Sequence, residues 1–478
     1  MQKSRLLFQK FGFIALLLIF LILANCSKNS VSEDVPPTPV EPETISPNPT
    51  ATSIVINTPD ITAQPFSTIA VDLDKLNGMS IYLAHPWIGE EAELMEIIAR
   101  EFSQSNPWGI QILALPHGGE TALVDSLILM QEKGKLPEVI AAPDNLRSEL
   151  VGNHLLVDLN AYFNDMEWGF SSEEREDVFP VFLEPYDGSD PVFSLPFAPQ
   201  ATVLFYNRSW ANDLGFFESP HNLEEFKKQN CDATFTNWQD ENKQGGTGGW
   251  VINLHPRVLA SWYYAFGGQI PKDEIPLFNN QAGNETFSYL WEVKNLGCIW
   301  FALQPDHQAY FANRFALMYA GYLDQIPVQI GWMDTLSNED EWEVLGFPGP
   351  DGEKILIDGP SLMITTGAPE EEVAAWLFAK FLLEPTVQAK LVEGLFTLPV
   401  RRSAMELLTD FQKDFPQWAQ GAALIESASI IPDSVTWGIA QWALQDAANR
   451  ILQDESGDIT KILEQLDELI LDIVDNSQ

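Results

Sequence analysis

The six histidines stand at 85, 117, 154, 221, 255 and 307, with no His-Glu-x-x-His pair or other close metal-ligand spacing among them. No metal site and no cofactor is expected. There is no Gly-x-Ser-x-Gly elbow for a nucleophile, and no Gly-Lys-Ser or Gly-Lys-Thr to cradle phosphates. With 68 acidic residues, carboxylate pairs arise by chance throughout and single out no acid–base site. The chemistry left is that of non-covalent binding. Tryptophan is abundant, at 15 residues, and several aromatic and polar side chains fall where predicted elements end. Trp87 lies in the first strand-end loop, with Glu90 just beyond it at a helix start. His117 follows the second strand, beside Gly118 and Gly119. Asp144 and Asn145 follow the third, where a helix cap is the other role open to them. Trp262, Tyr263 and Tyr264 precede Gly267-Gly268. Consecutive residues face different sides of a helix, so at least one of these three must serve the core.

The elements around these residues set the expected frame. "MSIYLAHPW" reads as a short strand ending at His85, and "EEAELMEIIAREFSQSNP" as a helix with Leu94, Met95, Ile98 and Phe102 on one face and acids in its first turn. "GIQILAL", "TALVDSLILMQEKGK" and "LPEVIAA" continue the pattern as strand, helix and strand. That alternation is the grammar of a parallel sheet covered by helices, whose ligands bind at the carboxyl ends of the strands. The loops that matter are then 85–90, 116–120 and 143–145. Further on, a Gly-rich loop enters a strand at "GGTGGWVINL", and Ile459 to Ile473 repeats Ile or Leu at helical spacing. No repeat of 20–50 residues is present.

Composition bounds the partners. The chain has 478 residues, 45% of them hydrophobic and 20% charged, enough to bury a sizeable core in one large or a few ordinary domains. A net charge of −42 argues against nucleic acid, which calls for a basic surface. Three cysteines exclude both a disulfide-dense scaffold and a four-cysteine zinc site. The N-terminus carries Lys3, Arg5 and Lys10 before the apolar stretch "FGFIALLLIFLILAN", the layout of a secretory signal. "LANC" resembles a bacterial lipobox, so Cys26 is expected to be lipidated; an uncleaved N-terminal anchor is the alternative. Either leaves the rest of the chain outside the cytoplasm. The Pro- and Thr-rich segment that follows has little to bury and reads as an extended tether.

Taken in order, the fragments resemble a known family. They are the His-Pro-Trp loop, "EIIAREFSQSNPWGIQI", "GKLPEVIAA", "LPFAPQATVLFYN", "AFGGQI", "FANRFALMYAGYL" and "GLFTLPVRRSA", from about Met79 to Ala404. Together they are similar to the extracellular solute-binding proteins of ABC importers, in the sugar-binding, maltose-binding-protein-like group. Glu138 stands where the family usually has Asp, and Asn222-Leu223 where it usually has Thr-Trp. The resemblance implies an α/β fold of two lobes, each a mostly parallel sheet flanked by helices and joined by hinge crossovers. Expected boundaries are 1–26 for the signal peptide, 27–70 for the tether, 79–196 with 346–395 for the first lobe, and 200–342 with 397–478 for the second.

The resemblance also implies the role. A monomer tethered to the outer face of the cell membrane by its lipid would capture a mono- or oligosaccharide between its lobes. It would then dock on the transmembrane subunits of an ABC permease, with no chemistry on the ligand and hence no catalytic residue. The alternatives are a secreted carbohydrate-active hydrolase and a binding protein for a non-sugar solute. Sugar sites place flat rings under apolar sugar faces and pair carboxylates, amides or Arg with hydroxyls. On that basis Tyr322 and Arg401 match family positions and join Trp87, Glu90, His117, Asp144, Asn145, Trp262, Tyr263 and, in the segment leading back towards the hinge, Trp332. Pro196 and Pro199 within "FSLPFAPQATVLFYN" suit a lobe crossover with fixed backbone angles, which makes Gln200 at its bend a further candidate. Cys231 and Cys298 both fall in the second lobe, outside the cytoplasm; a disulfide and two buried free thiols are both open.

Overall fold

The computed structural model describes residues 67–142, 150–183 except 152, 191–241, 243, and 247–477 except 273, 303, 305, 432, 433 and 454–456. Cys26, Asp144 and Asn145 lie outside the described residues. In chain order, β1 (Ser80–His85) leads into α1 (Gly89–Ser105), β2 (Gln111–Pro116), α2 (Glu120–Glu132) and β3 (Val139–Ala142). Helix α1 forms for the reason its sequence suggests: Glu90 and Glu91 face the helix dipole in the first turn, and Ala92, Met95, Ile98, Ala99 and Phe102 make one buried stripe. Each large side chain in such a stripe contributes roughly 1.5–3 kcal/mol on burial. β1, β2 and β3 pair in parallel, in the order β2-β1-β3. Helix α1 covers the face that carries Ile81 and Leu83. The opposite face, with Ala84 and Ile140, packs on Leu123 and Leu127 of α2.

The chain then crosses over. Strand β4 (Leu195–Pro196) sits at the edge of the first sheet, and after Phe197–Pro199 the chain becomes β5 (Gln200–Asn207) of the second. The second lobe continues with α3 (Leu223–Gln239), β6 (Gly248–Ile252), α4 (Pro256–Ala265), α5 (Gln281–Asn295), β7 (Ile299–Phe301), β8 (Ala316–Tyr322), α6 (Ile326–Thr335) and β9 (Trp342–Leu345). Next come a small hairpin, β10 (Phe347–Gly349) with β11 (Gly352–Lys354), and β12 (Leu356–Asp358). The second sheet runs β12-β5-β8-β6-β7, with β9 also on β5. Its core holds Phe226, Trp250, Trp262 and Phe287. The Sγ atoms of Cys231 and Cys298 are bonded, fastening α3 to the approach of β7.

A second crossover returns to the first lobe. β12 pairs antiparallel with β5, Asp358 opposite Gln200, and β13 (Ser361–Ile364) pairs antiparallel with β4 and β3. The switch between sheets thus falls at 359–360, not near 346. Residues 346–358 form strands of the second lobe, and their apolar and turn pattern continues into β13 with no change that marks the switch. Helices α7 (Pro369–Leu382) and α8 (Pro385–Leu395) belong to the first lobe, and α9 (Arg402–Leu407) stays with it. Arg402 N–H donates to Asp177 O and Ser403 N–H to the Asp177 carboxylate, so the chain has not yet left the first lobe at 397. It joins the second at α10 (Pro416–Ala422), where Gln417 Nε2 donates to Trp342 O and Gln420 accepts from Val344 N–H. β14 (Ser429–Ile430) then pairs with β12, and α11 (Val435–Gln453) and α12 (Ile459–Ser477) close the second lobe. Among the described residues no helix is long and apolar enough to cross a membrane.

Candidate functional site

The carboxyl ends of β1 and β2 lie side by side, because His85 is in register with Pro116. That pairing sets two histidines next to one another: His117 N–H donates to His85 O at 2.9 Å. His85 is fully buried, and neither ring nitrogen has a hydrogen-bond partner. Burial, with the neighbouring His117 adding, pushes its pKa down to about 4, so the ring is neutral at neutral pH. His117 is lowered too, by burial, and its Nε2 is likewise buried without a partner. Trp87 follows, its ring 5.5 Å from His85 and edge-on to Phe197 of the crossover at 5.7 Å. Buried polar atoms are nearly always satisfied in a native fold, so orphaned ones gathered at strand ends point to a ligand position.

The crossovers supply the floor. Gln200 Nε2 donates to Leu395 O at 3.4 Å, while its Oε1 is buried without a partner. Asp358 opposite it forms an ion pair with Arg257, from the first turn of α4. Gly359 follows at φ +130°, and a Cβ there would meet Ala198 O at 3.0 Å and Gln200 N at 3.1 Å. The two crossovers touch at this residue.

The second lobe contributes the far wall. His255 caps α4, its Nδ1 accepting from Arg257 N–H at 3.4 Å and lying 3.1 Å from the Tyr322 hydroxyl. Burial, then the Arg257 charge, pushes His255 down to about 4. The Arg257 guanidinium also sits 5.7 Å from the Tyr322 ring centre, and burial raises the Tyr322 phenol. Trp442 of α11 is half exposed with its ring 6.4 Å from His255. Asp324, two residues after β8 in the turn leading into α6, keeps solvent access. Burial pushes its carboxyl up to about 6; Glu91 of the first lobe raises it further, and Arg257 opposes. Glu91 is itself raised by burial. Among the described residues no group of His, Cys, Asp and Glu could hold a metal ion.

Of the residues expected from sequence, the structure gathers Trp87, His117, Gln200 and Tyr322 here. Glu90 is exposed at the start of α1, and its neighbour Glu91 is the one coupled to the opposite lobe. Trp262 and Tyr263 do not line the cleft. Trp262 is fully buried against Phe226, Trp250 and Phe347. Tyr263 packs on Phe278 and accepts from Asn280 Nδ2 at 2.7 Å. The adjacent Gly268 marks no open backbone: a Cβ there would lie 2.5 Å from the Tyr263 ring, so the glycine makes room for a core aromatic. Arg401 is buried inside the first lobe, its guanidinium 3.8 Å from both Glu174 and Asp177 and stacked over Phe170. Its bridge to Val178 holds it there, away from the cleft. Trp332 lies nearly two turns into α6 and packs on the larger core cluster. His85, Glu91, His255, Arg257, Asp324, Asp358 and Trp442 were missed. Only the pair of histidines ending adjacent strands left a sequence signal, since the others depend on loops that fold together from distant segments. A separate small pocket, lined by Lys135, Glu138, Thr365 and Glu371, opens at the opposite end of the first sheet.

A family model described as "Bacterial extracellular solute-binding protein" matches residues 98–420. No curated protein matches the chain. Solved structures match over most of it. The cyclic alpha-maltosyl-1,6-maltose binding protein from Arthrobacter globiformis is 16% identical over 83% of this chain and 99% of that one, with a TM-score of 0.70. UgpB from Mycobacterium tuberculosis, in complex with glycerophosphocholine, is 16% identical over 83% and 99%, with a TM-score of 0.67. The sugar-binding protein MalE from Xanthomonas citri is 16% identical over 82% and 98%, with a TM-score of 0.69. At this identity the likeness is one of fold.

Proposed function

This chain belongs to the bacterial extracellular solute-binding proteins, and from that premise we propose that it captures a sugar outside the cell by closing its lobes and delivers it to an ABC permease. The observation that carries the reading is the cluster at the crossovers. Trp87, His85 and Glu91 come from the first lobe, Tyr322, His255 and Asp324 from the second, and Gln200 and Asp358 from the second-sheet strand ends that adjoin the two crossovers. Rings and neutral imidazoles facing acids and an amide form the donor and acceptor set that pairs with hydroxyls around an apolar sugar face. Contacts from both lobes are complete only when the lobes close, so a solute that touches both shifts the population toward the closed form. In this reading the protein is a monomer held at the outer face of the membrane by lipid on Cys26 and a tether from 27 onward, and it does no chemistry on its ligand.

A thermal-shift screen of the full chain against mono- and oligosaccharides tests the substrate class. Stabilisation by at least one sugar is expected. A response confined to amino acids, polyamines or metal ions would overturn it. A hydrolase reading is favoured only by the acid pair Glu91 and Asp324, because glycoside hydrolysis needs two carboxylates flanking one bond. Release of a cleaved product from a bound oligosaccharide would establish that reading instead.

A further inference from the structure

The second lobe sets two flat rings against one imidazole. The Tyr322 ring centre lies 6.2 Å from that of His255, and the Trp442 ring centre 6.4 Å, at interplanar angles of 90° and 77°. The sheet fixes the first two residues: β6 and β8 are parallel neighbours, so the loop after β6 and the end of β8 share one carboxyl edge. There the Tyr322 hydroxyl comes within 3.1 Å of His255 Nδ1.

Trp442 arrives from far along the chain, on α11, whose buried stripe of Ala440, Leu444, Ala447 and Ile451 faces the second core. A separate contact shows which way its side of the helix is turned. Gln445, three residues on and so its surface neighbour, donates Nε2–H to Leu254 O at 3.0 Å, in the loop that carries His255. The Trp442 ring is half exposed, whereas Trp250, Trp262, Trp376 and Trp418 are wholly buried. One turn earlier on the same face stands Gly438, where an added Cβ would meet nothing within 4 Å, so no neighbour roofs this turn. A lone exposed aromatic is ordinary on a protein surface. This one is held at the edge where the sheet presents its ligand loops, beside a histidine already bonded to Tyr322. Tyr322 itself is more enclosed, with the Arg257 guanidinium over its ring at 5.7 Å. Trp442 is therefore the outer ring of the two.

We propose that Trp442 is a second sugar platform, and that the solute is a saccharide of two or more units, one held at Tyr322 and the next resting on Trp442. The inference rests on the sugar reading above and narrows it. A single unit at Tyr322 would leave the Trp442 face in water, whereas an added unit covers it and gains with the apolar area removed from water.

Calorimetry on the full chain at neutral pH tests it with three chain-length series: glucose, maltose and maltotriose; glucose, cellobiose and cellotriose; mannose, mannobiose and mannotriose. In at least one series affinity should rise about tenfold or more beyond the monosaccharide, the scale of one well-covered aromatic ring. In Trp442→Ala that rise should largely disappear, and in Trp442→Phe, which keeps a flat ring, most of it should remain. Trp442→Leu keeps apolar bulk without a ring face; it should lose the rise as alanine does, and it carries the test if the alanine variant does not fold. Equal affinity along every series that binds would overturn the second platform and leave the sugar reading standing. A rise that survives the loss of the ring would overturn the assignment to Trp442. Binding of no member of any series would overturn the sugar reading itself.

Discussion

Arg257 and Asp358 form an ion pair that joins the first turn of α4 to the last residue of β12, one position before the crossover glycine. The same guanidinium stacks over Tyr322 and acts on Asp324. One cation thus links the hinge to the cleft wall. Moving the hinge and filling the cleft draw on the same side chain.

Asp358→Asn should therefore impair both stability and binding. The Asp358 side chain is nearly buried and that of Arg257 about one-third exposed, so the loss falls between the values for surface and buried pairs, about 1–3 kcal/mol. Urea titration reads the first effect and calorimetry with a bound solute the second. A variant of unchanged midpoint and unchanged affinity would show that the pair does neither.

Gly359→Ala strains the hinge for two reasons. Its φ of +130° suits glycine alone, and the added methyl would press on Ala198 O and Gln200 N of the other crossover. A cost of about 1–3 kcal/mol is expected from denaturant unfolding. Full tolerance would mean that the two crossovers separate easily.

Stability should depend on pH with opposite signs at two cleft residues. Asp324 has its folded pKa raised to about 6 from an ordinary 3.8. Between those values the folded protein binds more protons than the unfolded one, so this contribution falls as pH rises from about 4 to about 6. His85 is lowered to about 4 from 6.5. There the unfolded chain binds more protons, and the contribution grows as pH rises over about 4 to 6.5. Glu91, Arg257 and Tyr322 are the groups that interact with the first; His117 and Trp87 adjoin the second. Melting temperatures from pH 4 to 7 should show Asp324→Asn gaining on the parent protein as pH rises, and His85→Gln losing ground. Parallel curves would mean that neither group is perturbed.

Two tryptophans should behave differently. Trp262→Ala leaves a cavity in the second core and should cost about 3–5 kcal/mol, with solute affinity retained by the folded fraction. Trp87→Ala removes a half-buried ring and should lower affinity roughly tenfold with a smaller loss of stability. Denaturation and calorimetry on both variants check the contrast, and a reversal would exchange their roles.

Much of the fold was legible because its signals are local. The alternation of strands and helices from Met79 onward, the stripe on α1 and the two prolines before β5 each follow from neighbouring residues. So does the placing of Trp87 and His117 after strands. The position of the second crossover was not legible, because 346–358 and 361–364 share one pattern of short strands although they pair in different sheets. Trp262 and Tyr263, beside glycines, were candidates for the ligand site, and only packing shows that Gly268 accommodates the Tyr263 ring. Arg401 kept its place after β-like residues, but a bridge to Val178 turns it into the first lobe.

The sequence by itself determined the fold class and the family, since periodicity and ordered motifs depend only on residues close along the chain. The tertiary structure alone decided the cleft. His255 and Tyr322 are 67 positions apart, and Arg257 and Asp358 are 101 apart. Those pairs meet because the paired strands of one sheet bring distant loops to one edge, and no local pattern encodes that meeting.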